Sequence, residues 1–242
     1  MSGHSKWATI KRQKGAADIK KGQIFTKIAN AITIAVRNGG GVTDPESNFR
    51  LRLAIEKARE VNMPKENIQK AIARASGGDA KGLEEVICEG FTPGGVSVVI
   101  EAATDNSKRT TSEIKNLFRS VGGTFGQPGS VTYQFKQVGQ IVVKKEGRTL
   151  DEIFEQVVEC GAEDLEEKQD SMIIYTDYKD ARKTRDCLHE KGFNIASVEI
   201  IRKPLVEMSV DDKDKLNKAI ELLQKLEELD DVQKIYTNLK IY

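Results

Sequence analysis

Apolar residues in the first third of the chain recur at helical spacing, and glycine or proline separates the periodic segments. Residues 23–37 carry one apolar face, and the three glycines at 39–41 predict where this helix ends. Asp44 followed by Pro45 predicts the capped start of a second helix, and Pro64 opens a third. The apolar stripes are narrow and rich in alanine. We therefore predict a bundle of three closely packed helices with wide polar faces.

Beyond residue 82 the helical spacing gives way to short runs of β-branched residues. Runs at 84–91 and 96–103 flank a Thr-Pro-Gly-Gly turn, which is typical of a hairpin. A helix is predicted from about Ser107, with Asp105 or Ser107 as its cap, and a further strand is predicted at 131–135. The segment thus predicts two strands, a helix and a strand.

The segment that follows alternates strands and helices in the order βαββαβ, which is that of a ferredoxin-like unit. The predicted elements are a strand at 140–144, a helix opened by a capping box of Thr149 and Glu152, strands at 163–167 and 172–176, a helix capped by Asp177, and a strand at 195–201.

The C-terminal piece, residues 205–242, predicts a strand, a helix with Ser209 and Asp212 as its capping box, and a strand. It is too small to fold alone, so we expect it to complete the α+β layer that the first hairpin begins. The predicted fold class is α+β and multidomain, with an N-terminal three-helix bundle and basic arm followed by two α+β (ferredoxin-like) domains, one interrupted by the other. The predicted domains are 1–79, the arm and bundle; 80–136 plus 204–242, the interrupted domain; and 137–203, the inserted βαββαβ domain.

Charge is distributed unevenly along the chain. The 242 residues together have a net charge of +1. Residues 1–78 hold 15 Lys and Arg against 6 Asp and Glu, a net charge of +9, whereas the remainder holds 23 against 31, a net charge of −8. Such an asymmetry indicates a polyanion-binding segment joined to an acidic body.

The composition, 38% apolar and 31% charged, is that of an ordinary globular protein. No stretch approaches the roughly 18 apolar residues of a membrane span, and residues 1–23 lack the apolar core of a signal peptide. We therefore expect a cytoplasmic protein without a membrane partner. The Lys-rich start leaves a cleaved mitochondrial presequence as an alternative on composition alone.

Residue types that could carry catalysis are few. Cys88, Cys160 and Cys187 lie far apart in the sequence, as do the two histidines, His4 and His189. We therefore expect separate, buried cysteines in a reducing compartment and no zinc site. The sequence has no phosphate-transfer, dinucleotide-binding or nucleophile-elbow motif. The prediction is a protein that is not an enzyme and that uses no metal, cofactor or small-molecule substrate.

The N-terminal arm is the main candidate for binding. Lysine and arginine neutralise phosphates, and an aromatic ring among them can stack on an exposed base, a contact of about 1–3 kcal/mol. The alternative is that Trp7 packs the arm onto the bundle while the lysines are solvated. The candidates in and next to the arm are Lys6, Trp7, Lys11, Arg12, Lys14, Lys20, Lys21 and Lys27.

Two further basic groups extend this prediction. The second helix carries arginines outside its apolar face, in rows that could follow a phosphate backbone, although Arg52 lies four residues before Glu56 and could form an ion pair instead. Near residues 104–110 a strand leads into a helix N-terminus, which favours an anion, although capping alone could explain the polar residues there. The candidates in these groups are Arg50, Arg52, Arg59, Lys108 and Arg109.

Short motifs occur from one end of the chain to the other. They include Gly3-His4-Ser5-Lys6-Trp7, Phe25-Thr26-Lys27, Asn62-Met63-Pro64-Lys65, Pro93-Gly94-Gly95-Val96, Thr104-Asp105-Asn106 and Gly129-Ser130-Val131. In this order the motifs resemble the YebC family. Its bacterial members are described as probable transcriptional regulators, and its mitochondrial members as translational activators of cytochrome c oxidase subunit I.

The resemblance implies three domains, no catalytic activity, and binding to DNA or to the translating ribosome. The leading hypothesis is a DNA-binding transcriptional regulator that uses its basic N-terminal domain. The alternative is a ribosome-associated translation factor that binds ribosomal or transfer RNA and relieves stalling at proline runs. A third hypothesis is a protein-interaction module whose acidic domains bind a basic partner. Because the signature begins at residue 3, a bacterial cytoplasmic member is favoured over a mitochondrial precursor.

Overall fold

The structure, a computed structural model, describes residues 19–76 and 82–240. The chain divides into two compact units, a larger one that ends at Gln134 and resumes at Pro204, and a smaller one formed by Phe135–Lys203. Over the described residues, seven α-helices and two four-stranded sheets give the α+β fold class that the sequence predicts. In these ranges no helix is both long and apolar enough to cross a membrane. The boundaries of three domains stay a prediction.

The helical bundle belongs to the larger unit and confirms the three predicted helices. α1 ends at the predicted glycines, where Gly40 and Gly41 have φ values of +70° and +83°, which side chains other than glycine rarely adopt. The buried faces of the helices meet in one core, to which Ile32, Val36 and Leu51 contribute fully buried side chains. The helices are α1, Ile19–Asn38; α2, Phe49–Glu60; and α3, Lys65–Ser76.

Asn48 joins the end of α1 to the start of α2. Its Oδ1 accepts a hydrogen bond from the Leu51 amide at 3.1 Å, which makes it the N-cap of α2. Its buried Nδ2 donates to the carbonyl oxygens of Ala35 at 2.9 Å and Val42 at 3.1 Å. The predicted cap at Asp44 is therefore wrong: the Asn48 side chain caps α2 and also donates to the end of α1, whereas an ionised carboxylate can only accept hydrogen bonds.

The larger unit also contains the interrupted sheet, whose order is β3-β1-β2-β8. β2 pairs antiparallel with β1 on one side and with β8 on the other. α4 and α7 cover the sheet with buried side chains such as Phe118 and Leu222. The C-terminal piece thus completes the first α+β layer. The elements are β1, Glu84–Phe91; β2, Ser97–Thr104; α4, Ser107–Ser120; β3, Thr124–Phe125; α7, Lys213–Glu228; and β8, Val232–Thr237.

Glu89, buried on β1, holds the loop that follows β3. Its two carboxylate oxygens accept hydrogen bonds from the backbone amides of Gly129 at 2.6 Å, Val131 at 2.6 Å and Thr132 at 2.8 Å. The strand predicted in this loop is wrong, and a 3₁₀ turn takes its place. The reason is that the carboxylate occupies N–H groups that a strand ladder would use.

The smaller unit has the predicted βαββαβ order. Its sheet order, β5-β6-β4-β7, is antiparallel where β6 meets its two neighbours. The first strand begins at Phe135, earlier than predicted, because the turn held by Glu89 ends there. The elements are β4, Phe135–Lys144; α5, Leu150–Glu159; β5, Asp164–Glu167; β6, Ser171–Asp177; α6, Ala181–Glu190; and β7, Ile195–Pro204.

The helix caps agree only in part with the sequence prediction. The capping box at Thr149 is confirmed, with both of its hydrogen bonds present. Asn106 caps α4 in place of either predicted residue, and Asp212 caps α7 by itself. Asp180 occupies the position before α6 that Asp177 was predicted to take. Neighbouring polar residues compete for a cap, and backbone geometry decides between them.

The chain leaves the larger unit and returns to it at one place. The amide of Leu205 donates a hydrogen bond of 2.8 Å to the carbonyl oxygen of Gln134. Ser97 of β2 lies next to this closure, since its hydroxyl donates to the Gln134 side chain at 2.7 Å. The interruption of the sheet therefore begins and ends at adjacent residues.

A disulfide joins Cys160, at the end of α5, to Cys187 on α6, with the two Cα atoms 5.6 Å apart. The expectation of separate cysteines is wrong for this pair, because the βαββαβ fold brings the two helices together at this point. Cys88 is a free, buried cysteine, as predicted.

We expect the double substitution Cys160→Ser and Cys187→Ser to lower the free energy of unfolding by about 2–4 kcal/mol, since the crosslink restricts the unfolded chain between positions 27 residues apart. Chemical denaturation of both proteins, with and without reductant, measures the effect. Reductant should lower the free energy of unfolding of the wild type to that of the variant, and it should leave the value for the variant unchanged. If it leaves the wild type unchanged, the disulfide is not stabilising.

Glu89 gives a second prediction. Burial by itself raises the pKa of this carboxyl, but the amides of Gly129, Thr132 and Val131 outweigh it, so the pKa lies below its usual value. The resulting stabilisation is present above the unfolded pKa of about 4.3 and is lost as the pH falls through the lower folded value. We expect Glu89→Gln to lower the free energy of unfolding by about 1–3 kcal/mol at neutral pH, because its NH₂ group would face backbone donors.

Urea denaturation of the wild type and Glu89→Gln at neutral and acid pH measures this difference. The difference should shrink as the pH falls below about 4. Glu84→Gln, at an exposed position of the same strand, is the matched control and should change little. A Glu89→Gln difference that stays constant with pH would contradict the ionised, hydrogen-bonded carboxylate.

Candidate nucleic-acid interface

Most of the predicted arm lies outside the part of the chain that the structure describes. Lys20 belongs to α1, but its side chain is also outside the described part. The binding role of these residues stays a prediction. The predicted arm residues outside the described ranges are Lys6, Trp7, Lys11, Arg12 and Lys14.

The described part of the bundle, residues 19–76, is itself basic, with 11 Lys and Arg against 5 Asp and Glu, a net charge of +6. Six of its cations are exposed and form no ion pair with any described residue. They come from all three helices, so the bundle surface carries positive charge that its own carboxylates leave unneutralised. These six are Lys21, Arg50, Arg59, Lys65, Lys70 and Arg74.

Three of these cations, on α3, are absent from the sequence prediction. Lys70 and Arg74 lie four residues apart on one face of α3, outside the buried stripe that Ile68 and Ala71 mark. The signal was available in the sequence, because a pair at this spacing outside an apolar stripe projects to one side of a helix. The third is Lys65, at the start of α3.

Two predicted binding residues are instead engaged within the larger unit. Lys27 donates from Nζ to the carbonyl oxygen of Glu227, at the end of α7, at 2.7 Å. Arg52 forms an ion pair with Glu46 and donates from Nε to the Pro45 carbonyl oxygen at 3.2 Å. Its side chain is only 13% exposed. Both side chains are thus held within the larger unit, and Glu46 also neutralises the charge of Arg52.

Near residues 104–110, the predicted binding residue Arg109 already has two carboxylate partners. Arg109 donates to Asp105 at 3.0 Å and to Asp231 at 2.9 Å, and Asp231 accepts a further hydrogen bond from the Thr110 hydroxyl at 2.5 Å. Burial raises the pKa of Asp231, but the hydrogen bonds from Thr110 and Arg109 keep it below its usual value. The Arg109 side chain is thus engaged by carboxylates of the protein itself. Lys108 beside it is exposed.

The described ranges contain no candidate metal site. Across residues 19–76 and 82–240, no group of three or more His, Cys, Asp or Glu side chains is placed to hold a metal ion. The arrangement of the bundle is instead suited to binding anions, since its exposed charged groups are mostly ammonium and guanidinium groups.

Two family models match the chain. The model described as the TACO1/YebC protein N-terminal domain matches residues 5–78, and the model described as the TACO1/YebC second and third domain matches residues 83–239. Together they cover the bundle and both sheets.

Relatives and a solved structure agree with these matches. A protein from Chloroflexus aurantiacus is 48% identical over 100% of this chain and 96% of its own length, and one from Thermomicrobium roseum is 47% identical over 98% and 96%. Both carry the name "Probable transcriptional regulatory protein". The crystal structure of a hypothetical protein from Aquifex aeolicus is similar with a TM-score of 0.85 and 40% identity, over 98% of each chain.

Arg50 and Arg52 give a matched test of the two kinds of cation on α2. We expect Arg52→Gln to lower the free energy of unfolding by about 1 kcal/mol, because its ion pair and its bond to the Pro45 carbonyl are lost. Arg50→Gln should stay within about 0.5 kcal/mol of the wild type, since the exposed side chain has no described ion-pair partner. Urea denaturation measures both. Equal losses would contradict the division between structural and available arginines.

Proposed function

We propose that this chain, which belongs to the TACO1/YebC family as its motifs predicted, is a nucleic-acid-binding regulator of gene expression. The leading form of the proposal is a DNA-binding transcriptional regulator that acts in the cytoplasm by binding and not by catalysis. The names of the relatives from Chloroflexus and Thermomicrobium support regulation of transcription.

The observation that carries the proposal is the separation of charge along the chain. Residues 1–78 have a net charge of +9 and the rest a net charge of −8. Positive charge gathered in one segment meets the phosphates of a nucleic acid and releases their condensed counterions, which favours binding strongly at low salt. The acidic remainder is repelled by the same polyanion. The ligand is therefore expected to lie against the N-terminal third.

The bundle is suited to this role because its fold leaves cations available. Arg50 and Arg59 project from α2 without a described ion-pair partner, although Arg52 of the same helix is engaged. Contacts of this kind neutralise phosphates without reading base sequence. The proposal therefore implies strong dependence on salt and weak dependence on sequence, except where a further element reads the bases.

The alternative function is that of a ribosome-associated translation factor or translational activator, with ribosomal or transfer RNA as the ligand. The same cations would serve, since phosphates in RNA and DNA carry equal charge. One observation favours this alternative: the sequence contains no recognisable helix-turn-helix, the arrangement by which many regulators read DNA.

Charge reversal in the arm tests the proposal. We expect four Lys→Glu substitutions to weaken nucleic-acid binding and to lower the slope of log affinity against log salt by about 0.9 for each lost contact to duplex DNA. A DNA footprint at physiological salt that the reversals abolish supports transcription, and ribosome co-sedimentation that they abolish supports translation. The substitutions are at Lys6, Lys11, Lys14 and Lys21.

The control carries four reversals at exposed lysines elsewhere in the chain, which change the net charge equally. It should keep both the affinity and the salt slope of the wild type. If the arm variant also keeps them, the arm does not bind nucleic acid, and a protein-interaction module becomes the better account. The control positions are Lys115, Lys144, Lys213 and Lys218.

A further inference from the structure

A groove of about 280 Å³ lies between α1 and α3 on the helical bundle. Its lining combines an aromatic ring, small residues, an amide and two cations. Its lining includes Phe25, Ala29 and Thr33 of α1, and Asn67, Lys70 and Arg74 of α3.

Small side chains keep this groove open. Ala29, Thr33 and Ala71 face it, and none of them is large enough to fill the space between the helices. The buried Thr33 hydroxyl lies 3.0 Å from the Ala29 carbonyl oxygen and 3.1 Å from the Ala71 carbonyl oxygen, so its single hydrogen is shared between α1 and α3. The two helices are thereby held together at the groove.

The groove offers two groups that suit a flat, polar ring. Phe25 is half-buried and packs against the core of the bundle, which fixes its ring at one wall. Asn67 is also half-buried, and its side-chain amide makes no hydrogen bond with any described residue. An amide has both donors and an acceptor, so it can pair with the edge of a base while the aromatic ring stacks on the face.

Cations border the groove on both sides. Lys70 and Arg74 line the groove from α3, are exposed, and form no ion pair with a described residue. On the α1 side, Lys21 lies with its Nζ 5.9 Å from the centre of the Phe25 ring. An aromatic ring bordered by free cations is the arrangement that proteins use for single strands, whose bases are unstacked and whose backbone remains charged.

We propose that this groove binds one unpaired base of a single-stranded nucleic acid, an inference that rests on the proposed nucleic-acid-binding function. Phe25 stacks on the base, Asn67 pairs with its edge, and Lys70 and Arg74 contact the flanking phosphates. A duplex is excluded from the groove, because the bases of a duplex are stacked and paired with one another and none is free to enter. The volume lies just below the roughly 300–1,000 Å³ of sites for drug-sized ligands, which suits one base and not several.

Fluorescence anisotropy with three labelled probes tests the inference. The probes are a uridine-rich RNA single strand, its deoxy counterpart and a DNA duplex of equal length. We expect Phe25→Leu, which keeps an apolar side chain but loses the ring, to weaken single-strand binding about tenfold or more and to leave duplex binding unchanged. The relative loss on the RNA and the deoxy strand identifies which one the groove takes.

Two variants outside the buried core of the bundle cover the case in which Phe25→Leu disturbs that core. Asn67→Ala should weaken single-strand binding several-fold, and Arg74→Gln should lower its salt slope by about 0.7, the value for one phosphate contact on a single strand. Gln69→Ala, which removes an exposed amide of α3 outside the groove, is the matched control and should have no effect. Circular dichroism confirms that each variant is folded.

The outcomes separate this inference from the proposed function. If the wild type binds the single strands and folded Phe25→Leu and Asn67→Ala bind them equally well, the groove inference is overturned and the proposed function stands. If single-strand and duplex binding fall together, the groove does not distinguish unpaired bases, and the inference also fails. If the wild type binds none of the probes, both the inference and the proposed function are overturned.

Discussion

The pairing of β2 with β8 is the contact on which the larger unit depends. It places Val98 opposite Thr237 and Ile100 opposite Ile235, so the two ends of the interrupted domain share one sheet. Without β8, β2 would present an unpaired row of N–H and C=O groups. The same C-terminal piece contacts the bundle, because the carbonyl oxygen of Glu227 accepts a hydrogen bond from the ammonium group of Lys27. The geometry of the candidate interface is therefore tied to the far end of the chain.

Cations in this protein are divided between holding the fold and facing solvent. Carboxylates of the protein itself neutralise Arg52 and Arg109, and a backbone carbonyl oxygen holds Lys27. Exposed residues such as Arg50 and Arg74 keep their charge for an external anion. A count of basic residues overestimates the binding surface for this reason. The residues that matter are those that the acidic side chains cannot reach.

The sequence predicted several features of the structure that depend on residues close together in the chain. The glycines after α1 and the capping box at Thr149 were read correctly, since each depends on residues within one turn of a helix. The βαββαβ order was likewise visible as alternating periodicity. The misplaced caps at Asn106 and Asp180 reflect competition between neighbouring polar residues. Two other failures involve distant partners: Asn48 was missed because its amide donates to Ala35, and the strand before Phe135 was overpredicted because Glu89 captures its amides.

The candidate site divides in the same way. The charge asymmetry is a property of composition and could be read directly from the sequence. The groove could not, because Phe25 and Asn67 belong to separate helices and line one groove only in the folded bundle. The disulfide also escaped prediction, since the spacing of Cys160 and Cys187 matches no short motif and the two approach only in the folded unit.

The hydrogen bond between Leu205 and Gln134 bears on the order in which the chain can fold. β2 and β8 are separated by a long intervening chain, and closing such a loop costs entropy that delays assembly. Once Phe135–Lys203 has folded, its two ends lie side by side and the effective loop is much shorter. The inserted unit can thus act as a folding aid within the same polypeptide, assembling first and delivering the C-terminal strand to its partner.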